Sequence, residues 1–66
     1  MHCTVNGEPM AFDHPPTVAM IATSIGAPPR GVAVAIDRVV IPRSAWEGTL
    51  VHEGAQVEVV TAAAGG

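Results

Sequence analysis

Three histidines, one cysteine, four glutamates and two aspartates are the side chains of this 66-residue sequence that could do chemistry. His2, His14 and His52 do not fall at metal-ligand spacing, and no acidic or cysteine neighbour completes a set. They read as surface or loop histidines, and no metal site is expected. Cys3 could carry a persulfide, but its place in a strand-like stretch reads as a small buried hydrophobe. The six carboxylates show no pairing that builds an acid/base site. No phosphate loop, nucleophile elbow or His-Glu zinc pattern occurs. The chain therefore has no means of making ATP react, and no bound cofactor is expected. If it takes part in a reaction, another protein is the enzyme. What remains is the end, Gly65-Gly66 after Ala62-Ala63-Ala64. A bare α-carboxylate with no Cβ near it can enter a narrow channel, because glycine lets backbones approach closely. Taken alone, the dipeptide reads as a frayed terminus. It gains meaning only if the rest of the chain is built to present it.

The elements that must do so are legible from local pattern. His2 to Val5 alternates in polarity, with Met1, Cys3 and Val5 on one face of a strand and His2 and Thr4 on the other. Asn6-Gly7 is the strongest short hairpin signal. Glu8 to Phe12 is the returning strand, and Pro9 makes it an edge strand because it cannot donate a ladder hydrogen bond. Thr17 is a fair N-cap. Val18, Ile21, Ala22 and Ile25 fall at i, i+3, i+4 and i+7, one face of a helix over 18–25 that Gly26 and Pro28-Pro29 end. Val32 to Ile36 is apolar on both faces, the pattern of a central strand. Asp37-Arg38 is a possible tight turn, and Val39 to Ile41 a short strand stopped by Pro42. Ser44 and Glu47 have the spacing of a capping box on a single helical turn. His52 to Ala55 is a loop. Gln56 to Thr61 is the last strand, with Val57 and Val59 on one face and Glu58 and Val60 on the other. The order is β-β-α-β-β-β: an α+β domain over 1–61 with one helix across a mixed sheet, then a flexible tail over 62–66.

Composition bounds the partners. The net charge is −3 and there is no lysine; Arg30, Arg38 and Arg43 are spread apart. Nucleic-acid binding needs a basic patch, and a polybasic membrane surface needs clustered cations, so neither is expected. One cysteine permits no intrachain disulfide, no signal peptide is recognisable, and the longest apolar run, Val32 to Ile36, is far too short for a membrane span. A cytoplasmic protein is expected.

The string Ile41-Pro42-Arg43-x-x-Trp46, preceded by Gly31, Ala33, Ala35 and Ile36 and followed by Gly54 and terminal Gly65-Gly66, resembles the ThiS family, the sulfur-carrier proteins of thiamine biosynthesis. Asn6-Gly7 and the length agree, so the resemblance covers nearly the whole chain. Two turn positions depart: Asp37 stands where the family usually has Asn, and Ala55 where Asp usually follows the glycine. The resemblance implies a ubiquitin-like β-grasp fold of four to five strands with one short helix. It also implies that the Gly66 carboxylate is adenylated with ATP by a separate ThiF-like or MoeB-like activating enzyme. Sulfur from a donor protein then gives a C-terminal thiocarboxylate, which a ThiG-like thiazole synthase consumes.

The chemistry of such an end has its own logic. An α-carboxyl has a pKa of about 3.5, so at neutral pH it is an anion and a poor electrophile. Activation must convert it to a mixed anhydride. From Val60 the chain can reach about 20 Å to Gly66 if extended, and small residues such as Ala64 and Gly65 keep that tether thin. With the branched residues turned inward, Ala33, Ala35, Val40 and Val60 form an uncovered apolar face beside the tail, a docking surface for partners. Trp46 reads as a cover for the sheet edge, and Arg43 as bonding a carboxylate or backbone carbonyls near the turn. Three other readings stay open: a sister sulfur carrier such as the small subunit of molybdopterin synthase, an isopeptide-forming modifier, and a non-reactive β-grasp interaction module.

Overall fold

Two hairpins frame the sheet, and each starts from its turn. Asn6 and Gly7 have φ of 53° and 83°, and Asp37 and Arg38 have φ of 50° and 70°. Two successive left-handed residues give a two-residue turn whose twist matches that of the strands it joins. The computed structural model describes residues 1–61. In it the first turn joins β1 (His2–Val5) to β2 (Glu8–Ala11), and the second joins β3 (Val32–Ile36) to β4 (Val39–Ile41). The N-terminal amine donates to the Phe12 carbonyl at 2.9 Å and the Phe12 N–H to the Met1 carbonyl at 2.8 Å, extending the first ladder past its named ends.

Between the hairpins runs α1 (Val18–Ser24). Thr17 caps it as expected, its Oγ1 accepting from the Met20 N–H at 3.1 Å. The helix stops one residue earlier than its periodicity predicts. Gly26 (φ 73°) donates to the Thr23 carbonyl and Ala27 to the Ala22 carbonyl, the paired bonds of a Schellman ending. Ile25 is thereby turned out of the buried stripe and is 39% exposed. After β4 comes a 3₁₀ helix over Arg43–Gly48, and β5 (Gln56–Thr61) is the final strand. The expected capping box does not form. The 3₁₀ helix begins at Arg43 with Pro42 at the N-cap position and no side-chain cap bond, so Ser44 already lies inside it. The Pro42 carbonyl closes the first turn by accepting from Ala45 at 2.8 Å.

The strand order is β2-β1-β5-β3-β4. β1 and β5 are parallel, with Thr4 opposite Gln56, and the other neighbours are antiparallel. The Pro9 strand is at an edge. β3 is flanked on both sides, but β5 is the middle strand, a place that no local pattern in Gln56 to Thr61 announces. One sheet face supplies Cys3, Val5, Val34, Ile36 and Val57 to the core, and α1 supplies Val18, Ile21 and Ala22. Trp46, Val51 and Ala55 complete it. Two backbone bonds, Val18 N–H to Thr49 O (3.0 Å) and Val51 N–H to Pro16 O (2.8 Å), fasten the start of the helix to the loop after the 3₁₀ turn.

Candidate functional site

The opposite sheet face carries the residues singled out for docking. Along β3, Val34 and Ile36 point into the core, so Ala33 and Ala35 point out. Along β5, Val57 is buried, so Glu58 and Val60 point out. Ala33 lies opposite Val60, and Ala35 lies between Val40 on one side and Glu58 on the other. Val40 is 68% exposed and Val60 63%. The fold thus gathers Ala33, Ala35, Val40 and Val60 on one uncovered face, in the arrangement that inward-facing branched residues require.

The alanines make that face concave. A shallow hollow of about 170 Å³ has Ala33 and Ala35 for a floor and Val40, Glu58 and Val60 for walls. A second, of about 380 Å³, is lined by Gly31, Val32, Ala33 and Val60. The two share Ala33 and Val60, so they form one trough that runs to the Val32–Thr61 pair. Thr61 is the last residue described. Gly66, Gly65 and Ala64, the predicted reactive end, lie outside the described residues, as does the whole of the predicted tail over 62–66.

The strand that leads to that end is held firmly. The Asn6 N–H donates to the Val57 carbonyl at 2.9 Å, and the Asn6 Oδ1 accepts from the Val59 N–H at 2.8 Å. Asn6 therefore serves twice: it takes the left-handed turn conformation and satisfies β5 where the partner strand β1 has ended.

The other side chains weighed from the sequence are structural. Cys3 is buried, and burial, with a smaller effect of Glu53, pushes its thiol up, away from thiolate chemistry. Trp46 is buried, and its indole N–H donates to the Ile41 carbonyl at 2.9 Å. Arg43 stacks on it, with the guanidinium carbon 4.4 Å from the ring centroid, and donates to the Pro29 carbonyl at 3.1 Å. In a 3₁₀ helix residues three apart eclipse, which is why Arg43-x-x-Trp46 brings the two together. They form one wall of a hollow of about 540 Å³ between α1 and the 3₁₀ helix. Among the described residues no group of His, Cys, Asp or Glu could hold a metal ion, and no helix is long and apolar enough to cross a membrane.

Two contacts depend on pairing across the chain. His52 reaches across to the β3–β4 turn, its Nε2 2.7 Å from Asp37 Oδ2, while Asp37 Oδ1 accepts from the Gln56 N–H at 2.9 Å. Glu58 stands in the wall of the apolar trough. Alternation places Glu58 on the outer face with Val60, and the pairing register sets it against Ala35.

No curated protein sequence matches the chain. Solved structures do. A crystal structure of a thiamine biosynthesis protein (ThiS) from Geobacter metallireducens is similar over 100% of both chains, at 30% identity and a TM-score of 0.82. A solution NMR structure of a thiamine biosynthesis protein from the same organism is similar over 100% of this chain and 88% of that one, at 29% identity and a TM-score of 0.80. The five-stranded mixed sheet with its short helix is the β-grasp of these proteins, and the ThiS family model matches residues 3–66. A match running from β1 through Gly65 and Gly66 leaves almost nothing outside it: the chain belongs to the ThiS family.

Proposed function

We propose that this protein is the sulfur carrier of a thiamine pathway and that Gly66 is its reacting residue. The observation that carries the reading is the extent of the family match, which takes in the diglycine end as well as the folded domain. An activating enzyme, ThiF-like or MoeB-like, adenylates the Gly66 carboxylate with ATP, and pyrophosphate leaves. Sulfide-level sulfur supplied by a donor protein then attacks the acyl carbon, AMP leaves, and the C-terminus becomes a thiocarboxylate. A ThiG-like thiazole synthase takes the sulfur. The carrier is a protein cosubstrate of these enzymes, acts in the cytoplasm, and binds neither ATP nor a metal of its own.

The trough lined by Ala33, Ala35, Val40 and Val60 is the surface on which the enzymes dock, which sets the end of β5 beside them and lets Ala64, Gly65 and Gly66 enter the active site. The division of labour fits the chemistry. Docking energy comes from the sheet, and the thin end supplies only the reacting group. Adenylation of a free α-carboxylate needs no side chain from the carrier.

Incubation with an activating enzyme, ATP and a sulfur source, followed by intact-mass measurement, tests this. The expected result is a gain equal to oxygen replaced by sulfur, located on Gly66. Gly66→Ala, or one residue added after Gly66, should abolish it while thermal unfolding stays unchanged. A normal rate of thiocarboxylate formation on the extended protein overturns the reading.

A further inference from the structure

The trough is apolar except for one group. Glu58 stands on β5 between Gln56 and Val60, opposite Ala35 in the pairing register, and its side chain lines the trough beside Ala33 and Ala35. Among the described residues it has no ion pair and no hydrogen bond; the two ion pairs present join His2 to Glu53 and His52 to Asp37. Arg38 lines the neighbouring hollow with Glu58 but does not pair with it. While this face is in water the carboxylate is hydrated. A partner that covers the trough strips that water, and a desolvated carboxylate without a counter-charge is costly. A carboxylate in the wall of an alanine-floored trough therefore discriminates among partners.

We infer that the surface docking on this face presents a basic side chain, arginine or lysine, whose methylene stem lies along Ala33 and Ala35 and whose cationic head meets Glu58. The inference rests on the sulfur-carrier reading for the identity of the partner, the activating enzyme. The trough has the shape for it: small residues on the floor, a valine on each side and the anion at one edge suit a side chain that is apolar along its length and charged at its tip. The net charge of −3 adds a long-range component that steers a basic surface toward the carrier.

The test is the association of the carrier with its activating enzyme, followed over a series of ionic strengths. Glu58→Gln is expected to weaken binding about tenfold and to flatten the salt dependence of the association rate. Glu58→Lys should weaken it further. Glu47→Gln, an equal change of charge beside α1 on the other side of the molecule, should leave both quantities almost unchanged. Glu58 is exposed, so thermal unfolding should not move in any of the three. Wild-type affinity and salt dependence in Glu58→Gln overturn the inference, and thiocarboxylate formation at Gly66 in that same variant shows the carrier reading intact. Loss of binding in Glu58→Gln without any thiocarboxylate on the wild type supports the contact and overturns the carrier reading instead.

Discussion

His52 must donate at both ring nitrogens. Nδ1 lies 2.9 Å from the Glu53 carbonyl and Nε2 lies 2.7 Å from the Asp37 carboxylate. Both neighbours only accept, so only the imidazolium satisfies both. The Glu53 carbonyl, then the Asp37 hydrogen bond, hold the His52 pKa above the usual histidine value. The Gln56 N–H, then His52, hold that of Asp37 below the usual carboxylate value. A histidine raised on folding contributes fully below its unfolded pKa, and that contribution is lost as pH rises through the folded one. The lowered aspartate contributes above its unfolded pKa and loses it as pH falls through the folded one. The pair is thus strongest between about pH 4 and about 6.5. Both groups are largely exposed, so the effect is modest and weakens with salt. The thermal midpoint of the wild type should fall as pH rises from about 6 to about 8, and His52→Gln should remove most of that fall. Asp37→Asn should flatten both arms of the profile while keeping the turn, because asparagine also tolerates the left-handed conformation. An unchanged profile in both variants would show the pair to be idle.

Elements were legible wherever the signal was local, and illegible where it crossed the chain. Asn6-Gly7, the Thr17 cap and the Gly26 stop could be read because turn and cap chemistry acts over two to five residues. The partners of Arg43 and His52 lie 14 and 15 residues away, and the parallel pairing that puts β5 in the middle joins the two ends of the domain. Nothing in local spacing encodes those meetings. The β3–β4 turn shows a local cost that the sequence also carries: Arg38 at φ 70° holds a Cβ in a conformation that glycine adopts freely. Arg38→Gly should stabilise the domain by up to about 1 kcal/mol, seen as a raised denaturant midpoint at constant slope. The 3₁₀ helix is the opposite case. Trp46 fills the end of a core that has only one other aromatic, Phe12, so Trp46→Ala should cost about 3–5 kcal/mol. A domain of this length holds about 3–10 kcal/mol in total, so that variant should lose roughly a third or more of its stability, seen by circular dichroism as a sharply lowered thermal midpoint. Arg43→Lys keeps the charge and loses the planar stack on Trp46, a change of about 0.5–1 kcal/mol that leaves the fold in place.

At the scale of the whole molecule the two sheet faces differ in what they carry. The inner face is committed to a core whose largest fully buried side chains include Ile21, Val18 and Val34. The outer face trades bulk for concavity, with alanine at 33 and 35 where β-branched residues would pack equally well. On the proposed reading, that separation uncouples docking from reach. Val60→Asp places a second carboxylate beside Glu58 on the exposed face, so it should leave the unfolding midpoint nearly untouched yet abolish binding to the activating enzyme. Val34→Asp, one strand away but turned inward, should prevent folding, because it buries an unpaired charge. Unfolding by Val60→Asp would show that the core lies on the other face. A single residue inserted after Thr61 has a third signature. It lengthens the reach by roughly 3.3–3.6 Å and leaves the trough unaltered. Reacting atoms must sit within about 3–3.5 Å of one another, so a shift of that size displaces the carboxylate from the α-phosphorus of ATP. Binding measured by calorimetry should survive this insertion, and thiocarboxylate formation measured by mass should not. Survival of both would mean that the enzyme takes up slack in the end of the chain, and that docking on the sheet does not set where Gly66 stops.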